Sequence, residues 1–280
     1  MIIFKTAKRL SQFIDQQKKD GKKIGFVPTM GALHQGHLSL IDTCKKNNDI
    51  TVCSIFINPA QFNNIEDLKN YPVTTATDIE KLFNHKCNAL FLPSVEEMYP
   101  NDYIKKTYPL GEIENRLEGH FRPGHFQGVC EAVDRLLGIV RPHNFYLGQK
   151  DFQQCMVIKK LMEVTGLQNT IQLNIVQTVR EDDGLAMSSR NLRLSEEQRK
   201  LANAIFQELN HIKQHLHAAP LQDLKNDGIE HLTKKGFKVD YVEIANAQDL
   251  SPATSTSGKL VALAAATTGN IRLIDNLILN

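Results

Sequence analysis

The residues with the most chemical capacity stand together in Pro28-Thr29-Met30-Gly31-Ala32-Leu33-His34-Gln35-Gly36-His37. The stretch follows a short apolar run, Ile24-Gly25-Phe26-Val27, and precedes an amphipathic segment that starts at Leu38. That order predicts a strand, a glycine-bearing turn and a helix. A helix N-terminus offers unpaired N–H groups and the positive end of its dipole, a setting that receives phosphate. Imidazoles placed there add donors that can follow charge developing on a phosphoryl group. Gly36 lets the backbone approach a ligand closely. A structural reading competes: one histidine caps the helix and the other is satisfied in the core. The isolated pattern does not choose between the two. Zinc fits less well, because no third ligand is evident.

Three further stretches carry polar chemistry. Gly148-Gln149-Lys150-Asp151 follows the strand-like run Asn144–Leu147 and opens a second helix, with Asp151 as its expected N-cap. Lys150 would bring a point charge to that helix start. Met187-Ser188-Ser189-Arg190 puts two hydroxyls and a guanidinium on one loop, the makings of a phosphate clamp. Gln61 and Gln154 carry amides that donate and accept, and so can hold a carboxylate or hydroxyl without adding charge. Gln154 is expected one helical turn from Lys150 and on the same face. Taken singly, these are equally a solvated lysine, a polar loop and exposed amides. There is no Walker-type loop and no recognisable Ser/His/Asp arrangement. Taken together, they point to nucleotidyl transfer from ATP by electrostatic rather than covalent catalysis.

The elements that must position these groups follow from periodicity. Helices are expected over Thr6–Asp20, Leu38 to Asn47-Asn48, Thr74–Lys86, Gly124–Val140 and Asp151–Thr165. Strands are expected at Ile24–Val27, Ile50–Ile57, Ala89–Leu92, Asn144–Leu147 and Ile171–Val176. Ile50–Ile57 is continuously apolar, as in a parallel strand buried on both faces. Val95–Tyr108 resists assignment. Beyond Thr178 the pattern changes. Ser195-Glu196-Glu197-Gln198 is a capping box expected to open one long helix to His217, followed by a helix over Pro220–Lys235. A strand at Lys238–Ala245, with Val239 and Tyr241 inward, precedes a hairpin of Lys259–Thr267 and Ile271–Leu279 turning at Gly269-Asn270. The expected fold is α/β, a Rossmann-like doubly wound parallel sheet over residues 1–178. A smaller α+β domain over residues 179–280 would close the site.

Composition sets bounds on this reading. The chain has 280 residues, of which 41% are hydrophobic, enough for a sizeable core. A net charge of +2 signals neither a nucleic-acid nor an acidic partner, so any anion site must be local. The five cysteines are scattered, with no Cys-x-x-Cys pair, and read as free thiols in a reducing compartment. No apolar run approaches the roughly 20 residues of a membrane span, and the N-terminus lacks the form of a signal peptide. A cytoplasmic protein without a membrane or nucleic-acid partner is expected.

Several stretches together resemble the pantoate–β-alanine ligase (pantothenate synthetase) family, part of the nucleotidylyltransferase superfamily with a His-x-Gly-His signature. They are PTMGALHQGH, FINPAQF, RPGHFQGV (Arg122–Val129), GQKDFQQ, DGLAMSSRN and RLIDN (Arg272–Asn276), in the family's order over nearly the whole chain. The resemblance implies that pantoate attacks the α-phosphate of ATP to give pantoyl adenylate and pyrophosphate. β-Alanine would then displace AMP to give pantothenate, a coenzyme A precursor. It implies that His34, His37, Lys150 and Arg190 act on the phosphates. Met30, Gly31, Ala32, Leu33, His34, Gln35, Gly36, His37, Gly148, Gln149, Lys150, Asp151, Val179, Met187, Ser188, Ser189 and Arg190 would line the ATP site. Gln61 and Gln154 would hold pantoate, and Gln61 also β-alanine. Mg2+ would accompany ATP, with Asp78 the one protein candidate for it, and a homodimer would form through the N-terminal domain.

The chain departs from the family pattern at Gln149, where glutamate is common, at Val73, where arginine is usual, and loosely over residues 104–118. Two other functions stay open at this point: a different nucleotidylyltransferase, or a nucleotide-binding module without catalysis.

Overall fold

The computed structural model describes all of residues 1–280. Six strands, β1 (Ile2–Phe4), β2 (Ile24–Thr29), β3 (Ile50–Ile55), β4 (Ala89–Phe91), β5 (Asn144–Gly148) and β6 (Gln172–Val176), form one sheet in the order β1-β4-β3-β2-β5-β6. Every pairing in it is parallel. The helices that follow or join these strands are α1 (Ala7–Lys19), α2 (Gln35–Asn47), α3 (Ile65–Lys69), α4 (Thr75–Asn84), α5 (Val95–Met98), α6 (Glu118–Phe121), α7 (His125–Val140) and α8 (Phe152–Thr165).

Side chains alternate along the central strands, and each face meets its own layer of helices. Phe26, Val52 and Phe145 join α1, α7 and α8 in one core. Their neighbours Val27, Cys53 and Tyr146 join Leu40, Ile41 and Cys44 of α2 and Leu82 of α4 in another. This double burial is why β3 is mostly apolar and buried at every position, Thr51 and Ser54 included. The chain moves outward from β2 through β3 to β4, then returns to the other side of β2 with β5. The strand order therefore reverses between β2 and β5, and the crevice of a doubly wound sheet opens beyond the C-terminal ends of those two strands.

After β6 the chain adds α9 (Glu196–Leu201), α10 (Ala204–His215), α11 (Leu221–Lys234) and a second, antiparallel sheet of β7 (Lys238–Asn246), β8 (Leu260–Thr268) and β9 (Ile271–Ile278). Ala262, Ala264 and Ala266 of β8 face α10 and α11, while Val261 and Leu263 belong to the core of the large sheet. The small sheet is thus covered on both sides.

Several elements differ from expectation. β1 is an edge strand of three residues, too short to announce itself. Helix α2 begins at Gln35, not Leu38, which brings His37 into its first turn. The Ser195 capping box is present, but the long helix breaks between Leu201 and Ala204. Asp151 makes no side-chain cap, because Gln149–Asp151 is a 3-10 turn ahead of α8. A register shift between Val239 and Tyr241 turns Tyr241 toward the large domain, while Val239 packs with α10 and α11. The hairpin turn falls at Gly269-Asn270. No helix is long and apolar enough to cross a membrane.

Candidate active site

A cleft opens where β2 and β5 end, lined also by the segment around Met187. Met30, His34, Gly36, His37, Gln61, Gly148, Lys150, Asp151, Gln154, Val179, Met187, Ser188, Ser189 and Arg190 all line it. Residues far apart in sequence are gathered because the strand order reverses there and because the second domain faces the reversal.

The histidine motif is built as a reciprocal cap. His34 is the N-cap of α2, and its Nδ1 accepts the Gly36 N–H at 3.2 Å. His37 Nδ1 accepts the His34 N–H at 3.4 Å. A backbone N–H can only donate, so both Nδ1 atoms carry lone pairs and both neutral rings carry hydrogen on Nε2. The structural and chemical readings of the motif therefore coincide: capping is what aims the two Nε2–H donors. Burial, and then the Lys150 charge, lowers the His34 pKa to about 4. Burial, then His34 and Lys150, holds His37 well below its usual value. A Cβ on Gly36 would stand 2.9 Å from the His34 ring, so the cap requires glycine there.

The residues between strand and cap serve the scaffold. Ala32 N and Leu33 N donate to Asp78 Oδ2 and Oδ1, each at 2.8 Å, and Thr74 Oγ1 donates to Oδ2 at 3.1 Å. Lys81 Nζ donates to Leu33 O at 2.6 Å, and Ser189 Oγ to Ala32 O at 3.0 Å. Gly31, Ala32 and Leu33 are buried outside the cleft lining, and Gln35 is exposed beyond it. Asp78, proposed from the sequence as a magnesium ligand, is 1% exposed with both oxygens turned to these donors. Its geometry is that of a loop anchor, not of a metal ligand.

Lys150 has a side chain 17% exposed, and its nearest carboxylate is Asp151 at 3.8 Å, so its ammonium is open to a ligand. Ser188 Oγ accepts from Arg190 N at 3.3 Å, which leaves its O–H to donate. Ser189 is spent on Ala32, joining the second domain to the histidine loop. Arg190 lies on the rim, paired with Asp67 at 3.0 Å. Gln149 turns from the cleft toward Asn276, and Val73 is 71% exposed and outside the lining, so neither departure touches the cleft surface.

Asn58 supports the Gln61 amide. Its Nδ2 donates to Gly128 O at 2.9 Å and Gln61 Oε1 at 3.1 Å, and its Oδ1 accepts from Tyr99 at 2.8 Å. These bonds fix the Gln61 amide. A Cβ on Gly128 would come within 2.1 Å of Ala60 O, so glycine permits this approach of α7. Gln154 lines both this cleft and the adjoining depression holding Arg122 and His125. His125 Nδ1 donates to Gln61 O at 2.7 Å, and Arg122 donates to His125 Nε2 at 3.2 Å. Burial, then the Arg122 charge, lowers the His125 pKa to about 4.

The sequence places Asn58 among polar amides at a strand end, where such sheets bind ligands, but gives no role to Arg122 or His125, whose one signal is their place in the RPGHFQGV stretch. The apolar floor of Val129, Val133 and Leu136 was read only as core, since a helix stripe looks the same against a ligand as against a sheet.

Fold and site together define a doubly wound α/β protein with a polar cleft at its switch point and a separate, smaller antiparallel sheet. The Pantoate-beta-alanine ligase family model matches residues 2–278, and the chain belongs to that family. It is 44% identical to a pantothenate synthetase of Stutzerimonas stutzeri, over 100% of this chain and 98% of the relative. With a pantothenate synthetase of Thermotoga petrophila it shares 42% identity, over 100% of both chains. A solved pantothenate synthetase of Thermus thermophilus superposes with a TM-score of 0.92 at 35% identity, over 99% of each chain. The pantoate-beta-alanine ligase of Francisella tularensis, solved with beta-gamma ATP and β-alanine, superposes with a TM-score of 0.81 at 36% identity, over 99% of this chain and 97% of that one.

Proposed function

We infer that this chain condenses pantoate with β-alanine at the expense of ATP, as an AMP-forming ligase. One observation carries the reading. Two neutral imidazole donors, a lysine and the amides of Gln61 and Gln154 line one cleft. Pantoate's carboxylate would attack the α-phosphate, making a new P–O bond and releasing pyrophosphate. The amine of β-alanine would then attack the acyl carbon, forming the amide and releasing AMP.

His34 and His37 would donate from Nε2 to phosphate oxygens as their charge grows, and Lys150 would add a full positive charge. Ser188 would donate its free hydroxyl, and Arg190 would reach phosphate by leaving Asp67. Met30, Gly36, Gly148, Val179 and Met187 would form the ATP walls. Gln61 and Gln154 would hold pantoate, with Gln61 also beside β-alanine.

Magnesium fits this donor set as an ion arriving with the triphosphate. No cluster of three or more His, Cys, Asp or Glu side chains exists to cage it, which suits an ion held chiefly by phosphate and water. Bound so, it would neutralise phosphate charge. Division into domains at residues 178 and 179, a homodimer through residues 1–178, and a cytoplasmic location complete the proposal. Light scattering tests the dimer.

The deciding experiment follows AMP release from ATP and pantoate, with β-alanine present or omitted. AMP that requires β-alanine supports the ligase. A stable nucleotidylated product, or ATP binding with no AMP at all, sinks it.

A further inference from the structure

The motif Arg272–Asn276 takes no part in the chemistry above, yet its last residue lies against it. Asn276 is 2% exposed. Its Nδ2 donates to the Gln149 carbonyl at 2.9 Å and the Lys150 carbonyl at 2.8 Å, and its Oδ1 accepts from Gln149 Nε2 at 3.3 Å. A buried amide is costly unless its hydrogen bonds are met. Here the small sheet meets them with the backbone of a turn in the other domain.

Asn276 is itself held. Its N–H donates to Asp275 Oδ1 at 2.8 Å, and its carbonyl accepts from Arg180 Nη2 at 3.3 Å. Successive strand residues point to opposite faces, so Asp275 faces away from the turn and meets Arg180 through both oxygens, at 2.6 and 3.0 Å. Arg180 also donates to Gly184 O at 3.0 Å and lies 3.8 Å above the Phe206 ring. The chain from Arg180 runs directly into Met187–Arg190. One buried node therefore ties together the Lys150 turn and the Ser188 segment, two of the three stretches that meet at the cleft.

We propose that Asn276 is a positioning residue for the adenylation step, holding the Lys150 turn so that the ammonium meets the transferring phosphate, with Asp275 and Arg180 keeping Asn276 in place. Asparagine suits the task because one nitrogen supplies two N–H donors to two carbonyls. An isosteric carboxylate would turn oxygen toward both. The proposal rests on the ligase reading above.

The test begins with wild-type AMP release that depends on pantoate and β-alanine, which settles the ligase reading separately. Single-turnover pantoyl-adenylate formation and the KM for pantoate are then measured for Asn276→Ala and Asn276→Asp, alone and combined with Lys150→Ala. A misplaced group can cost about 100-fold, so Asn276→Ala should slow adenylation about 10- to 100-fold, with KM for pantoate changed less than about threefold. In the Lys150→Ala background the same substitution should cost less than about threefold, since residues acting through one another are not additive. Losses that multiply in the double variant, or a wild-type rate in Asn276→Ala and Asn276→Asp, overturn the proposal while leaving the ligase intact. If thermal melts show Asn276→Ala unfolded, Asn276→Ser, which keeps one donor, carries the same cycle with a smaller loss. A wild type that forms no AMP removes the ligase reading and this proposal together.

Discussion

The imidazoles of His34 and His37 stand 4.0 Å apart, ring centre to ring centre, and each receives a backbone N–H at Nδ1. Each ring is thereby fixed in one tautomer by the turn that it helps to close. Burial adds a second consequence, because both rings stay neutral where free histidine would be charged.

That neutrality makes stability depend on pH. Unfolded, the rings titrate near 6.5, whereas folded His34 titrates at about 4. Between those values the unfolded chain binds protons that the folded chain refuses, so stability falls as pH falls through the window. The melting temperature should decline from pH 6.5 toward 4. The decline should be shallower in His34→Asn, which removes one such ring and keeps an N-cap acceptor. Equal slopes in the two proteins would refute this role for His34.

Rates should separate from binding at His37 and Lys150. Removing one preorganised donor from a developing charge costs about 10²–10³ in rate. His37→Ala and Lys150→Ala should each slow single-turnover adenylation by that order and leave pantoate affinity nearly unchanged. Near-normal adenylation in either variant would remove it from the mechanism.

Asp78 should matter to folding. Asp78→Ala leaves the Ala32 and Leu33 N–H groups buried without acceptors, at a cost of about 2–5 kcal/mol. Urea unfolding reads this directly. Asp78→Asn, which keeps one acceptor oxygen, should lose less and respond to magnesium as the wild type does. A raised magnesium requirement in that variant would restore Asp78 as a metal ligand.

The domain contact holds a charged pair. Burial pushes the Glu118 pKa up, but two bonds from Arg272, at 2.7 and 2.8 Å, outweigh it and bring the pKa below its usual value. Tyr241 donates to the same carboxylate at 2.8 Å. Arg272→Ala should destabilise the protein by up to about 3 kcal/mol, less than a wholly bared charge would cost, because Arg122 stays 4.0 Å from Glu118 and Tyr241 keeps its bond. The Glu118 contribution is present above the unfolded carboxylate pKa and is lost as pH falls through the folded value, so the gap between wild type and variant should narrow in acid. A constant gap would contradict the pairing.

Much of this was legible in the sequence. α7 fell within a residue of its expected bounds and β3 began where expected but ended at Ile55 rather than Ile57, because burial on one face or two dictates those patterns. The cleft residues were legible through glycines and polar groups at strand ends. What was not legible depended on partners distant in the chain. Nothing in Ser189 itself says that its hydroxyl turns to Ala32, or in Arg190 that it meets Asp67. Asp78 and Gln149 misled for the same reason, since an acid or amide in a motif does not declare which way it points. The break after Leu201 was hidden because Ala202 and Asn203 both keep helical backbone angles.

The small sheet has no solvent face. With α10 and α11 on one side and the large domain's core on the other, Val261 and Leu263 are no more a surface than Phe26 is. A gene cut after Thr178 would therefore yield two fragments with raw, adhesive faces, prone to clump when made apart and fit to be rescued when made together. Sequence marks a change of architecture there, but for expression or for grafting onto another scaffold the two domains travel as one piece.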